Sequence, residues 1–355
     1  MSDISNIHHR RSNRHLLFPM VSYTPTKLIR EMLKLDPWPA IRSVMSLLSG
    51  IWAASLYLLL SLLGCAVLDA VLFCVLAIFS AAALFWFAVP ETWAFGSTTF
   101  IFALGLMAWM QRRRVSEQGV MAASALTLSM TTTNWMMGWI IAFVALPWRR
   151  ALRAIVVSLA LVLAFWAGQK AFFRTAKLIP HADEQTKFFF QKDSGGPLAV
   201  ARVFALHAMV MPDIGQIERG NRPGTRMTVQ HAAVGSGSPF GKPAAVLWLV
   251  LLGIGGWAMA THRLQQHYVI PVVCLTLLGQ LGLHLVYGGE ETFLYVLHWI
   301  PLLIVVAAWG SLTRIRLMVR VLAALCLVCV GLNNERQFQR AIQYLSVQLP
   351  AISSP

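Results

Sequence analysis

Chemistry in this chain is to be sought where acidic and polar residues interrupt apolar runs. One such interruption is Tyr287-Gly-Gly-Glu-Glu-Thr-Phe-Leu-Tyr-Val-Leu-His-Trp-Ile-Pro301, which sets Glu290 and Glu291 between apolar segments 268–286 and 293–312. Carboxylates beside membrane-length segments are costly to bury and are functional candidates for that reason. Glu91, in Val89-Pro-Glu-Thr-Trp-Ala-Phe-Gly96, and Asn134, in Met130-Thr-Thr-Thr-Asn-Trp135, stand at similar interruptions. Each also has a structural reading. Glu91, or one of Glu290 and Glu291, favours the positive end of the helix that follows it. Thr131–Asn134 serves as a polar hairpin tip, and His298 as a packed core histidine. Trp135, Trp139, Tyr287, Tyr295 and Trp299 read as anchors at the membrane interface.

The elements that must hold these residues follow from composition. The 355 residues are 57% hydrophobic and only 12% charged, about half the charge of an average soluble protein. Apolar segments recur at 44–64, 67–89, 97–110, 119–131, 135–147, 151–169, 244–260, 268–286, 293–312 and 317–331. The expected fold is all-α, a polytopic membrane bundle of about 9–10 helices, some half-length, with one larger external loop. The net charge of +15 comes in short clusters between apolar runs, such as Gln111-Arg-Arg-Arg114, Trp148-Arg-Arg150, His262-Arg263 and Arg314-Ile-Arg316. That is positive-inside topology, and it argues against nucleic acid as a partner. The five cysteines fall in or beside apolar spans. Cys326-Leu-Val-Cys329 has no histidine or carboxylate near it in sequence, so no metal site is expected.

Charge parity then sets the organisation. Arg112–Arg114 and Arg149–Arg153 both belong on the cytoplasmic side, so 119–147 is read as a hairpin turning at Thr131–Trp135. The 74-residue loop 170–243 becomes external, with an amphipathic run at Leu198–Met211 that is expected to form a helix on the membrane surface. The expected divisions are an external segment 1–42, helices in 43–169, the loop 170–243, helices in 244–331, and an external tail 332–355. Glu91, Asn134, Glu290 and Glu291 would then line one external, membrane-level cavity, with Asp69 near a cytoplasmic turn. One sign disagrees. Residues 1–42 carry seven Lys/Arg against three Asp/Glu, yet parity sets them outside. A further helix ahead of this segment would remove the conflict.

The motifs at 89–96, 130–135 and 290–301 resemble bacterial polytopic members of the GT-C glycosyltransferase superfamily, relatives of the protein mannosyltransferases and the lipid A aminoarabinose transferases. The resemblance covers most of residues 13–312. It implies an inner-membrane enzyme that moves a sugar from a polyprenyl-phosphate donor to a glycan, lipid or protein acceptor on the external face. It implies no other cofactor, and metal use varies within the superfamily. Glu290 and Glu291 would orient acceptor hydroxyls or a basic partner, with Glu91 and Asn134 lining the same cavity. Arg14, His15 and Lys187 would meet the lipid phosphate. The family's general base lies in a first external loop behind a first helix. Asn13-Arg-His-Leu-Leu-Phe-Pro19 matches only the later part of that loop, so the base is unassigned. The alternatives are a non-catalytic membrane protein and a lipid or sugar flippase. A flippase commonly shows internal repeats and charged mid-span residues.

Overall fold

The computed structural model describes residues 1–3, 15–176, 178, 188–190, 194–218, 225–261 and 268–352. They form thirteen α-helices and one small β-hairpin. Seven stretches among them are long and apolar enough to cross a bilayer, and a bent helix pair makes an eighth. This is a multi-pass, all-α membrane protein.

The chain divides into two compact units. The first comprises Met1–Gly64, Trp86–Lys187 and Arg263–Gln280; the second comprises Cys65–Phe85, Phe188–His262 and Leu281–Pro355.

The first unit holds α1 (Phe18–Leu33), α2 (Pro37–Leu63), α5 (Thr92–Arg112), α6 (Glu117–Met130), α7 (Trp135–Ala145) and α8 (Trp148–Lys170). Local chemistry sets the ends of these helices. Pro37 opens α2 at a position where a missing N–H costs nothing, and Gly64, left-handed at φ 102°, closes it on the carbonyls of Leu60 and Ser61. Ser116 caps α6 by accepting from the N–H of Gly119 at 3.1 Å. α5 is the central helix, with 72% of its apolar window buried against 28% for α2 and α8. The Trp52 indole on α2 donates to Ser97 Oγ on α5 at 2.8 Å. Ser158 on α8 reaches the Met121 carbonyl on α6 at 2.9 Å. Arg153 on α8 pairs with Glu117, and that hydrogen bond holds the Glu117 carboxyl below its ordinary range. The amphipathic stretch expected over Lys27–Leu35 is part of the longer α1, which exposes Leu28, Met32 and Leu33.

The second unit holds α3 (Val67–Ile78), most of α4 (Ala81–Ala88), α9 (Gly196–Arg202), the strands β1 (Gly215–Glu218) and β2 (Thr225–Thr228), α10 (Gly241–Thr261), α12 (Val296–Trp309) and α13 (Arg316–Ile352). Between α10 and α12 runs α11 (Val269–Val286), whose residues 269–280 belong to the first unit. The centre of the second unit is α12, which lies in the most buried span among the described residues, at 78%. Gly255 on α10 allows the closest approach in this core. A Cβ there would stand 1.9 Å from the Val306 carbonyl oxygen, so only glycine lets the two helices meet. Asp69 in the first turn of α3 is 1% exposed and accepts from Arg316 at 2.5 Å and Arg320 at 2.9 Å. The pairing ties α3 to the start of α13.

Two sequence expectations take a different form in the structure. Segment 67–89 is not one helix; α3 and α4 meet at a 58° bend. Segment 332–355, expected as a tail, is the second half of the 37-residue α13 as far as Ile352. Its side chains explain the difference. Asn333, Asn334 and Gln337 are fully buried; the two asparagines are hydrogen-bonded to the chain around that bend and around residue 211, and Gln337 donates to the Gly237 carbonyl. A polar segment of this kind reads as solvent-facing until its partners are known.

Candidate functional site

In the first unit the sequence candidates Glu91, Asn134 and His15 are drawn towards one another by three short connections. Glu91 is the half-buried N-cap residue of the central helix α5. Its neighbour Thr92 sets Oγ1 3.4 Å from His15 Nε2. His15 Nδ1 lies 3.0 Å from the Met130 carbonyl and 3.3 Å from Thr131 Oγ1, and its ring meets Trp93 edge-on at 6.0 Å. The imidazole therefore joins the start of α5 to the end of α6. It is 8% exposed and engaged by neutral oxygens, a setting unlike the phosphate contact expected of it. The Met1 amino group also belongs to this region. Burial lowers its pKa, and the charges of Asp3 and Glu91 act in the opposite sense.

Asn134 closes the single 3₁₀ turn, Thr132–Asn134, between α6 and α7. Its side chain is fully buried, and neither its amide nitrogen nor its oxygen has a hydrogen-bond partner among the described residues. An unmet buried polar group costs on the order of 1–3 kcal/mol. A fold keeps one only where something else fills the place or where function requires it.

In the second unit the stretch 287–301 is bound into the elements of the 170–243 loop. Gly288 N–H donates to the Phe188 carbonyl and Phe190 N–H to the Val286 carbonyl, both at 2.8 Å. Thr292 N–H donates to Gln230 Oε1 at 3.2 Å, and Gln230 Nε2 donates to the Ser194 carbonyl at 2.9 Å. Phe293 joins a small core of Ala81, Met211 and Val229. Gly288 is left-handed at φ 66°, and a Cβ there would stand 3.0 Å from the Tyr295 ring, so the turn needs glycine for two reasons. Glu291 lies in the irregular turn Gly289–Tyr295 ahead of α12. Glu290 contributes backbone to that turn, and its side chain is outside the described set, as are Arg14 and Lys187.

The expected surface helix over Leu198–Met211 is α9 followed by a π-helical turn, Val203–His207. Such a turn is wider than an α-turn and releases carbonyls. Two buried indoles use them: Trp299 Nε1 donates to Phe204 O at 3.0 Å and Trp248 Nε1 to Ala205 O at 2.9 Å. Trp299 also stacks on Phe204 at 4.3 Å. It is thus a fully buried core residue rather than the interfacial anchor expected from sequence. Facing this turn is a group that sequence reasoning passed over. Arg202 donates from Nη2 to the Gln230 carbonyl at 3.2 Å, while its buried Nε has no partner. Among the described residues no carboxylate pairs with it. His207 is fully buried, and neither ring nitrogen makes a hydrogen bond of good geometry. Burial, helped by the nearby Arg202 charge, pushes its imidazole down to about 4, against a weaker opposing contribution from the Val229 backbone. The sequence held one signal for them: a cation and a histidine five residues apart inside an apolar run.

The four acidic and amide candidates thus divide evenly, Glu91 and Asn134 in the first unit and Glu290 and Glu291 in the second. Comparison with protein-family models, with curated proteins and with solved structures gave no match for this chain.

Proposed function

We propose that this protein is a membrane glycosyltransferase of the GT-C type. In this reading it accepts a sugar carried on a polyprenyl phosphate at the external face of a bacterial inner membrane and delivers it to an acceptor hydroxyl. What supports the reading is the company of the Tyr287–Pro301 stretch. Gln230 joins its first turn, at Thr292, to Arg202, a cation with no carboxylate partner among the described residues. A guanidinium whose buried Nε–H has no partner among the described residues suits a phosphate oxygen, which it would hold through charge-assisted hydrogen bonds.

In the displacement itself the acceptor oxygen forms a bond to the anomeric carbon and loses its proton to a base. The bond from that carbon to the phosphate oxygen breaks, and the phosphate leaves with the electron pair. Arg202 stabilises the charge that gathers on the leaving group. Glu291 is a carboxylate placed in the turn ahead of α12, where it can accept hydrogen bonds from substrate hydroxyls.

The phosphate contact is tested with the full chain in lipid nanodiscs, by comparing binding of citronellyl phosphate with that of citronellol. The expected result is phosphate-dependent binding that Arg202→Gln weakens about tenfold or more. Equal binding of phosphate and alcohol, or an Arg202→Gln chain that binds as the wild type does, would overturn the proposal. Transfer of label from polyprenyl-phosphate sugars to a membrane acceptor tests the reaction. Movement of the lipid headgroup across the bilayer without transfer would favour a flippase.

A further inference from the structure

Asn134 is not the only buried polar group of the first unit that goes unmet. On α11, Thr276 Oγ1 and Gln280 Nε2 are buried, in residues 0% and 1% exposed, and also have no partner among the described residues. Positions 276, 279 and 280 share one face of that helix, being three and four residues apart. The contact of Gly279 shows where the face points: a Cβ on Gly279 would stand 2.5 Å from the Met136 sulfur. Met136 lies in the first turn of α7, two residues beyond Asn134. The α11 face with two unmet groups is therefore turned towards the helix entry that carries the third.

Depth adds a second consideration. α6 and α7 have 14 and 11 residues, so they extend about 21 and 17 Å. Neither equals the roughly 30 Å hydrocarbon layer. The turn at Thr132–Asn134 then stands at membrane depth, where lipid tails satisfy no polar group and irregular backbone is kept only beside protein or a polar cavity. Broken helices of this kind often mark binding sites in membrane proteins.

We propose that Asn134, Thr276 and Gln280 form a binding site for the ring of a neutral, multiply hydroxylated headgroup, the sugar of a lipid-linked substrate. The proposal deepens the glycosyltransferase reading and rests on it for the claim that the sugar arrives on a lipid. The chemistry of the three groups selects the ligand. Two amides and a hydroxyl supply donors and acceptors in near-equal number and no charge, which matches ring hydroxyls. A phosphate or carboxylate would call for a cation that none of the three supplies. A metal ion would find only two oxygens among the unmet atoms.

The test uses saturation-transfer NMR on the full chain in nanodiscs, with octyl glucoside as probe. Octyl tetraoxyethylene ether, which has the same tail and no ring hydroxyls, is the control. The expected result is saturation reaching the glucoside ring and not the ether head. Asn134→Leu and, separately, Gln280→Met should each weaken ring contact about tenfold while the melting temperature stays within a few degrees. The two substitutions are on different helices, so the loss of one folded variant leaves the other to decide. Equal saturation of both heads would reduce the contact to tail adsorption. Absence of ring contact would leave a water-filled site only. Undiminished contact in both variants would place the ring elsewhere. Any of these three results overturns the proposal. Because the probe carries no phosphate, failure of the Arg202 experiment leaves this outcome unaffected. A phosphate-binding chain with no ring contact would remove this site alone.

Discussion

In the second unit the chain bends between α3 and α4, and the groups freed around Phe79 and Ser80 find partners within the protein. Asn334 donates to the carbonyls of Phe79 and Met209 and accepts from the Met211 N–H, each at 2.8 Å. Asn333 reaches the Met211 carbonyl at 2.8 Å, and Ala81 N–H donates to Met209 O at 3.0 Å. In the first unit the chain breaks between α6 and α7, and its backbone is served in the same way: Leu17 N–H donates to Ser129 O, and His15 meets Met130 O. The side chain in that break, Asn134, is left unmet. One break is sealed by the protein's own amides, and the other presents an amide to something else. A break in a membrane helix is therefore not by itself a sign of function. The sign is whether its polar atoms are already used.

Substitutions at the two breaks should behave oppositely, and the largest effect belongs to the sealed one. Asn334→Leu strands the Phe79 carbonyl and the Met211 N–H and removes one of the two bonds to the Met209 carbonyl, which should cost about 4 kcal/mol and appear as a lower melting temperature of the purified protein. A neutral result would mean that the second break is as open as the first.

The next effect sharpens the contrast, since the second unit also contains unmet buried groups among its described residues, His207 among them. Its folded pKa of about 4 lies below the ordinary 6.5, so between those values the unfolded chain binds more protons. Stability is fully present above pH 6.5, falls as pH drops towards 4, and then levels off. The total loss is about 3 kcal/mol. His207→Leu should flatten that limb of a pH–melting profile. Ligand phosphate at Arg202 should raise the folded pKa of His207 towards its unfolded value, and so shorten the limb and reduce the loss.

Gly255→Ala serves as a packing control that touches neither break. The added methyl runs into the Val306 carbonyl, and the expected cost is about 2 kcal/mol, read from the same melts. The smallest effect should come from Asn134→Leu. Replacing an unmet amide by an apolar side chain of similar size should leave stability within about 1 kcal/mol. A loss as large as that of Asn334→Leu would show that Asn134 is part of the framework.

Much of this was legible before any coordinates. Glu91 as the residue ahead of a helix, the interruption of the chain at Thr131–Asn134, and the irregular turn around Gly288 all follow from local sequence. Glu, Pro, Gly and Asn act on the backbone within a few residues of themselves. His15 was legible as a candidate but not in its setting. Its partners, Met130 and Thr131, are more than 100 positions away. Arg202 and His207 were hidden because a polar residue in an amphipathic run reads as its solvated face. Their burial depends on a π-turn and two distant tryptophans.

The sequence by itself determined that this is a multi-pass helical membrane protein, because hydropathy and span length are properties of consecutive residues. It also marked several helix ends and the break at Thr131–Asn134, since capping and breaking residues act locally, while the α3–α4 bend and the length of α13 came from the tertiary structure. Tertiary structure alone decided which polar side chains are already satisfied. Asn134 and Asn334 are the same residue type beside apolar runs, and nothing in their neighbours separates them. Satisfaction of a buried amide depends on atoms brought from far along the chain. That long-range pairing makes one asparagine a seal and leaves the other a candidate binding group.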